Sequence, residues 1–314
     1  MEGFWSEEEG AVLSCSINKY IYIIVLESAD KRIHVKYYDH EDVDDAEDIK
    51  HDLVRESLKK AGIKGGIEIF ILSDIPHTGS GLGSSSSLTV GLLNAFYGYV
   101  GKEISPEILA REACDIEINI LGKVIGRQDQ YIAAYGGLNV IRFYPDGEVE
   151  VRPVQPEYDV YQVLQKYLLL FYTGKGRKAE DILGEQNRKI VHTRSILRKM
   201  KEQVTSALEK IYSVNIEQLG LLISEGWMMK KQLADGICSQ DIEDLVEKAL
   251  NAGASGAKIT GAGGGGFLLV FCHPDSQYLV RNTLKNLTEL KIDLERNGTQ
   301  VFSYNHKMEH KSRH

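Results

Sequence analysis

Apolar residues alternate along some stretches of the chain and recur at helical spacing along others. In the first half, the pattern predicts strands at residues 17–26, 33–38, 67–72, 138–143 and 149–151, and helices at residues 52–61, 84–100 and 105–121. In the second half, it predicts strands at residues 167–172 and 267–272, and helices at residues 185–212, 216–233 and 240–250. Mixed strands and helices of this kind indicate an α+β protein.

A proline-flanked stretch at residues 153–156 separates the two sets of elements. Prolines and polar residues between regular segments are typical of a domain boundary. We therefore expect an N-terminal domain over residues 1–155 and a C-terminal domain over residues 156–314.

The composition excludes several classes of protein. The chain has 314 residues, 43% of them hydrophobic and 26% charged, with a net charge of −8, so it can bury a core and lacks the basic balance of a nucleic-acid binder. Its longest apolar runs are far shorter than the roughly 20 residues of a membrane span. The acidic first ten residues do not resemble a secretory signal, and the four cysteines form no CxxC pair. We expect a cytoplasmic protein with no membrane or nucleic-acid partner.

The segment at residues 76–87 carries three glycines at alternate positions, followed by four serines at the predicted start of a helix. Glycines let the backbone come close to a ligand, and a helix N-terminus presents free N–H groups and partial positive charge to an anion. The serine hydroxyls can cap the helix, donate to a phosphate or bind Mg²⁺. The alternative is a serine-capped helix after a flexible turn.

A second glycine cluster lies at residues 261–266, between Thr260 and the predicted strand at residues 267–272. Gly261, Gly263 and Gly266 fit the GxGxxG pattern, but a dinucleotide-binding fold needs a helix after the glycines, whereas a strand is predicted here. A Walker A sequence does not occur either. We interpret the segment as a loop that joins two β segments and approaches a ligand closely; a bulge or tight corner is the alternative.

Three acidic residues are candidates for chemistry. Asp129 lies in a run of small and amide-bearing residues, where its carboxylate could accept a proton from a hydroxyl; a helix cap is the alternative. Glu112 lies inside the apolar stripe of the helix predicted after Ser105, and Glu117 lies on its flank. A carboxylate against a core face needs a cation, metal or hydrogen-bonding partner, so either is a candidate metal ligand or a salt-bridged residue.

The two glycine loops and the Gly-Arg-Gln-Asp-Gln segment at residues 126–130 resemble, in this order, the three motifs of the GHMP kinases, which phosphorylate sugars, mevalonate and homoserine. Within that superfamily, the sequences at residues 10–20, 128–131 and 171–174 look most like the bacterial D-glycero-D-manno-heptose 7-phosphate kinases. The resemblance implies an α+β, two-domain GHMP-kinase fold: an N-terminal α/β domain with a mixed or antiparallel sheet and additional helices, and a C-terminal ferredoxin-like α/β domain.

The resemblance also implies ATP and Mg²⁺ as cofactors and a role for each motif residue. ATP phosphates would be bound by the first loop, at Pro76, Gly79, Ser80, Gly81, Leu82, Gly83, Ser84, Ser85 and Ser86. Mg²⁺ would be bound by Ser85 and Glu117, and Asp129 would be the catalytic base. The substrate and the closing loop would involve Thr173, Arg177, Gly261, Ala262, Gly263 and Gly264.

The implied partners are ATP and a small sugar or sugar phosphate, with the anomeric hydroxyl of the heptose 7-phosphate as the expected acceptor. Alternatives are a galactose, fucose or mevalonate kinase, or a nucleotide- or sugar-binding regulator without catalysis. The oligomeric state is open, with a homodimer as one alternative. The family's usual first strand, with its Gly-Gly-Gly-Thr-Asp-type segment, does not occur in this sequence, so we expect either a longer natural chain or a differently built sugar pocket.

Overall fold

The computed structural model describes residues 2–75, 79–174 and 179–303. The helices are α1 Glu2–Trp5, α2 Asp52–Ala61, α3 Ser84–Tyr99, α4 Pro106–Cys114, α5 Gln128–Tyr135, α6 Val160–Leu164, α7 Ala179–Arg188, α8 Ile190–Tyr212, α9 Glu217–Lys230, α10 Gln240–Asn251 and α11 Gln277–Thr283. The strands are β1 Gly10–Ile17, β2 Ile21–Glu27, β3 Ile33–Lys36, β4 His40–Val43, β5 Ile67–Ser73, β6 Leu138–Phe143, β7 Val149–Pro153, β8 Leu168–Tyr172, β9 Gly256–Ile259, β10 Phe267–Phe271, β11 Thr288–Glu289 and β12 Leu294–Glu295.

Two sheets are built mainly from the first half of the chain. One has the strand order β2-β5-β3-β4 and is mixed, because β3 runs parallel to β5 while the other pairs are antiparallel. The other has the order β12-β1-β6-β7 and is antiparallel. Helices α2 to α5 bury their apolar faces in a single core with both sheets. The predicted mixed sheet of the N-terminal half is therefore confirmed.

The second half contains an antiparallel sheet with the order β11-β8-β10-β9. Its apolar side chains form a core with helices α7 to α11, around the fully buried Trp227 of α9. A further cluster joins the two halves, since Leu138 and Val140 of β6 pack with Val204 and Ile211 of α8. Within residues 2–75, 79–174 and 179–303, none of the helices combines the length and apolar character needed to cross a membrane.

Most predicted elements are present, and two predictions need correction. The β segment predicted over residues 17–26 contains β2, which begins at Ile21, and only the last residue of β1, a strand that the pattern did not predict. The chain turns after Ile17, where the N–H of Lys19 donates to the Ile17 carbonyl at 2.8 Å. The helix predicted over residues 185–212 is also two elements, α7 and α8, because the chain leaves the helical path near Lys189. Charged residues cover much of both helices, so the apolar pattern did not show this break.

The last described residues return to the first half of the chain. Leu294 and Glu295 of β12 pair with Ile17 and Ser16 of β1, and the N–H of Thr299 donates to the Ala133 carbonyl at 3.0 Å. The domain boundary at residues 155 and 156 stays a prediction. In the structure, the segment at residues 294–303 pairs with β1 and contacts α5 of the N-terminal half, while Arg296 pairs with Asp159 of the second half at 2.7 Å.

A substitution at Gly136 measures how much the segment at residues 294–303 contributes to stability. Its φ of +66° is a backbone angle that favours glycine and strains other residues. A Cβ at this position would lie 2.0 Å from the backbone carbonyl carbon of Asn297. We expect Gly136→Ala to lower the free energy of unfolding by roughly 2–5 kcal/mol, through strain and displacement of residues 297–298. Thermal and urea unfolding measure the loss. Gly62→Ala is the control, because Gly62 has a φ of +78° with nothing within 4 Å of the added Cβ, and an equal loss in both variants would contradict the argument.

Candidate active site

The first glycine loop connects β5 to the N-terminus of α3. Gly79, Gly81 and Gly83 all have φ between +71° and +77°, a conformation that glycine adopts without strain. Gly83 is the N-cap of α3 and provides no side chain, so the first N–H groups of the helix are not capped by it. Ser80 is buried, with its hydroxyl 3.0 Å from that of Ser84. The structure therefore places the three-glycine loop at an N-terminus of α3 without a side-chain cap, and the binding of an anion there stays a prediction.

The second glycine loop joins β9 to β10, which pair as an antiparallel hairpin with Ile259 opposite Leu268. This confirms the prediction of a loop between two β segments and the rejection of a dinucleotide-binding turn. The loop lies directly against the first one: a Cβ on Gly261 would be 2.5 Å from Cα of Gly81, and a Cβ on Gly266 would be 2.4 Å from the Ser80 carbonyl oxygen. Only glycine permits this contact between the two loops.

Thr173, at the end of β8, is attached to the second loop. Its N–H and its hydroxyl both donate to the Gly266 carbonyl, at 2.9 and 2.8 Å. Gly264 is held from the other side, since its N–H donates to the Ile237 carbonyl at 2.8 Å. Ala262 and Gly263 pack towards the C-terminal core, where a Cβ on Gly263 would meet Ile237 at 2.8 Å. Of the site residues predicted in this loop, Gly261 contacts the first loop, as does Gly266, which was not among them.

Glu117 lies beside the N-terminus of α3, although its helix begins far from it. After Cys114, α4 continues as a wider π-helical turn over Asp115–Ile120, and this turn directs Glu117 inwards. The side chain is fully buried and accepts a hydrogen bond from the Ser85 hydroxyl and another, of 2.9 Å, from Nε2 of Gln130. Glu112 instead accepts from the Tyr97 hydroxyl at 2.7 Å. The structure thus brings together Ser85 and Glu117, the predicted metal-binding pair.

Asp129 lies in the first turn of α5, a helix that the sequence pattern did not predict because Gln128–Tyr135 is short and has no clear apolar face. A Cβ on Gly83 would lie 3.2 to 3.4 Å from the Cβ, Cγ and Oδ2 atoms of Asp129, so the carboxylate abuts the N-cap of α3. Burial raises the pKa of the Asp129 carboxyl above its usual range, and the charge of Glu117 acts in the same direction. The side chain remains half-buried and so accessible to a hydroxyl.

Lys230, the last residue of α9, is a site residue that the sequence analysis missed. Its ammonium group donates a hydrogen bond to the Gly261 carbonyl in the second glycine loop. Burial and the nearby charge of Lys258 lower the pKa of Lys230 to about 7, whereas Asp129 acts in the opposite direction. The only sequence signal was a lysine pair at the end of an amphipathic helix, which ordinarily indicates a solvated surface.

Two of the predicted residues, Pro76 and Arg177, lie outside the described residues. Of the remaining ones, Ser86 is buried inside α3, Ser84 is the first residue of that helix, and Leu82 lies in the first loop between Gly81 and Gly83. The structure therefore places Asp129, Ser85, Glu117 and the contacting faces of both glycine loops around the N-terminus of α3.

Ser85 and Glu117 suit Mg²⁺, because a hydroxyl and a buried carboxylate are hard oxygen ligands. In residues 2–75, 79–174 and 179–303, there is no group of three or more His, Cys, Asp or Glu that could hold a metal ion. Mg²⁺ is ordinarily bound through one or two protein groups together with substrate phosphates and water, so two protein oxygens beside an anion-binding loop are sufficient. The donor set thus fits magnesium bound jointly with a phosphate chain.

Known proteins resemble this chain in sequence and in fold. D-glycero-alpha-D-manno-heptose 7-phosphate kinase of Campylobacter jejuni is 28% identical over 94% of this chain and 88% of its own. Mevalonate kinase of Methanothermobacter thermautotrophicus is 32% identical over 66% of this chain, a region that spans 64% of that relative. The crystal structure of a D-glycero-D-manno-heptose 1-phosphate kinase from Bacteroides thetaiotaomicron superposes with a TM-score of 0.74, covering 94% of this chain and 92% of its own at 23% identity.

Two family models match the chain. The model of the GHMP kinases N terminal domain matches residues 49–137, which include the first glycine loop, Glu117 and Asp129. The model of the GHMP kinases C terminal matches residues 197–289, which include Lys230 and the second glycine loop. Together they account for more than half of the chain, and the solved structure shares its two-domain fold. The chain therefore belongs to the GHMP kinases, phosphotransferases whose acceptor is an alcohol group.

Proposed function

We propose that this protein transfers the terminal phosphoryl group of ATP to the anomeric hydroxyl of D-glycero-D-manno-heptose 7-phosphate. The observation that carries the proposal is the contact of two glycine loops beside Asp129, at the N-terminus of α3. This arrangement provides backbone N–H groups for a polyphosphate next to a carboxylate with a raised pKa. The identity of the acceptor is supported by the name of the Campylobacter relative, which matches along nearly all of this chain.

In the proposed reaction, the first glycine loop and the N-terminus of α3 hold the phosphates of ATP. Ser85 and Glu117 would hold Mg²⁺, which neutralises phosphate charge when bound. Asp129 orients the acceptor hydroxyl and takes its proton while the new phosphorus–oxygen bond forms. Positioning and charge stabilisation dominate phosphoryl transfer, so the main task of this chain is to fix two substrates in line.

A panel of acceptors in a coupled ADP-release assay tests this function. We expect the heptose 7-phosphate to give the highest kcat/KM, above galactose, fucose and mevalonate. Mevalonate is included because a mevalonate kinase is 32% identical over two thirds of this chain. Preference for mevalonate would replace the proposed acceptor, and nucleotide binding without ADP release with any acceptor would favour a non-catalytic regulator.

A phosphorylated acceptor needs cations for its own phosphate. Lys175, Arg177 and Lys178 follow Thr173 in the sequence and are the nearest candidates, with a solvated basic loop as the alternative; all three lie outside the described residues. We expect Arg177→Ala to raise the KM for heptose 7-phosphate by roughly tenfold or more, because a charge-assisted contact to phosphate is lost, with little change in the KM for ATP. Steady-state kinetics measure both constants. The exposed Lys285 provides a control, as Lys285→Ala, and an unchanged KM for Arg177→Ala would exclude this role.

A further inference from the structure

Lys230 connects three parts of the site that are distant in sequence. Its ammonium group donates to the Gly261 carbonyl, and Gly261 lies against Gly81 of the first loop. Asp129, which abuts Gly83 of the same first loop, is close enough for its charge to act on Lys230. The ammonium group therefore lies where the second glycine loop, the first glycine loop and the carboxylate of Asp129 converge.

Lys230 has unused capacity to bind an anion. A lysine ammonium has three N–H donors, and the hydrogen bond to Gly261 uses one of them. Among the residues that the structure describes, no carboxylate comes within ion-pair distance of Lys230. The next residue, Lys231, differs in this respect because its ammonium pairs with Glu243 at 2.6 Å.

The charges around Lys230 also favour an anion. The groups that act on it are Lys258 of β9, which repels its positive charge, and Asp129 of α5, which attracts it. Lys258 is itself half-buried, makes no ion pair with the described residues, and has its pKa lowered by burial. When both lysines are protonated, their positive charges outnumber the negative charge of Asp129 in this group of three, and the negative charge of a transferring phosphoryl group would stabilise the protonated forms.

We propose that Lys230 is a catalytic residue of this kinase, whose ammonium group contacts the phosphoryl group as it moves from the nucleotide to the acceptor oxygen. The proposal rests on the proposed function. In the step, the bond from phosphorus to the acceptor oxygen forms and the bond to the β-phosphate oxygen breaks, with its electron pair left on ADP. The acceptor proton goes to Asp129. Lys230 loses and gains no proton in this step; it stabilises charge on the phosphoryl oxygens.

A purely structural lysine would instead serve only to hold the second glycine loop through Gly261. Kinetics of three variants separate the two roles. We expect Lys230→Met to lower kcat by about 10²–10³-fold, as for the loss of a preorganised group at developing charge, while the KM for the acceptor changes little. Lys230→Arg retains a cation and should recover a large part of kcat. Lys231→Met, which removes the neighbouring lysine, should keep kcat near that of the wild type.

Proton uptake gives a readout that does not depend on turnover. Because Lys230 has a pKa of about 7, an anion beside it should cause it to take up a proton at pH 7.5. We expect titration calorimetry with a non-hydrolysable ATP analogue and Mg²⁺, in buffers of different ionisation enthalpy, to show greater proton uptake for wild type than for Lys230→Met. Lys231→Met should match wild type.

Two outcomes would overturn the proposal: a kcat of Lys230→Met close to wild type, or equal proton uptake in the two proteins. A fall in kcat accompanied by an equal fall in melting temperature, and not restored by arginine, would assign Lys230 a structural role instead. Absence of kinase activity in the wild type would refute the proposed function itself, so the two failures are distinguishable.

Discussion

Asp129→Asn is expected to abolish most turnover while nucleotide binding remains intact. The amide keeps the shape of the side chain in the first turn of α5 but cannot take the proton of the acceptor hydroxyl. General-base assistance contributes about 10²–10⁴-fold, so kcat should fall by that factor. The coupled ADP assay measures kcat, and calorimetry measures ATP binding, which the proposed function assigns to the glycine loops rather than to this carboxylate. As a control, Asp146→Asn makes the same exchange in the exposed turn between β6 and β7 and should leave both kcat and ATP binding unchanged.

The pH dependence of turnover should show the raised pKa of Asp129. A base must be ionised, so activity is present above its pKa and is lost as the pH falls through it. Since burial raises that pKa, the acid limb of kcat/KM should lie at higher pH than for an ordinary aspartate. The positive charge of Lys230 lowers the pKa of Asp129, so Lys230→Met should move the acid limb of kcat/KM to still higher pH. A limb near pH 4, or turnover unchanged in Asp129→Asn, would remove Asp129 from the mechanism.

Glu117→Gln is the second change with a large expected effect. The glutamine can still accept from Gln130 and can donate to the Ser85 hydroxyl, so the buried hydrogen bonds and the fold should be retained. The charge that would hold Mg²⁺ is lost, and we expect kcat to fall by about 10²-fold or more, comparable to the loss of a preorganised electrostatic group. The concentration of Mg²⁺ that gives half-maximal activity should rise in parallel.

Glu112 provides a matched control for Glu117. Both residues lie on the same helical segment, but Glu112 accepts from the Tyr97 hydroxyl, away from Ser85. Glu112→Gln should therefore leave kcat and the Mg²⁺ requirement unchanged. Equal kinetic effects of the two substitutions would indicate that the carboxylates act through the stability of the helix and not through a metal.

The sequence was most informative where chemistry and local structure depend on the same residues. The glycines at positions 79, 81 and 83 have positive φ angles, so their spacing predicted a turn that the structure contains, whereas the anion site predicted from the same glycines stays a prediction. Ser105 and Pro106 likewise marked the start of α4, where the Ser105 hydroxyl accepts from the N–H of Ile108. Each of these signals acts within a few residues of its own position.

Features that depend on distant contacts could not be predicted in this way. The π-helical turn that directs Glu117 towards Ser85 has no local sequence signal, and the choice between Glu112 and Glu117 required the family resemblance. The sequence around Lys230 is typical of a surface lysine. Its position beside Gly261 depends on how α9 packs on the C-terminal sheet, which the local sequence does not show. The returning strand β12 is two residues long, and only its pairing with β1 defines it.

That pairing constrains how the chain can fold while it is being synthesised. Ser16 of β1 pairs with Glu295 of β12, so β1 has no strand partner on that side until residue 295 has been synthesised. Contacts between such distant positions are slow to form, and an unsatisfied strand edge exposed in the meantime promotes aggregation. We therefore expect chaperones to protect the nascent N-terminal half from aggregation until β12 has been synthesised and has paired with β1.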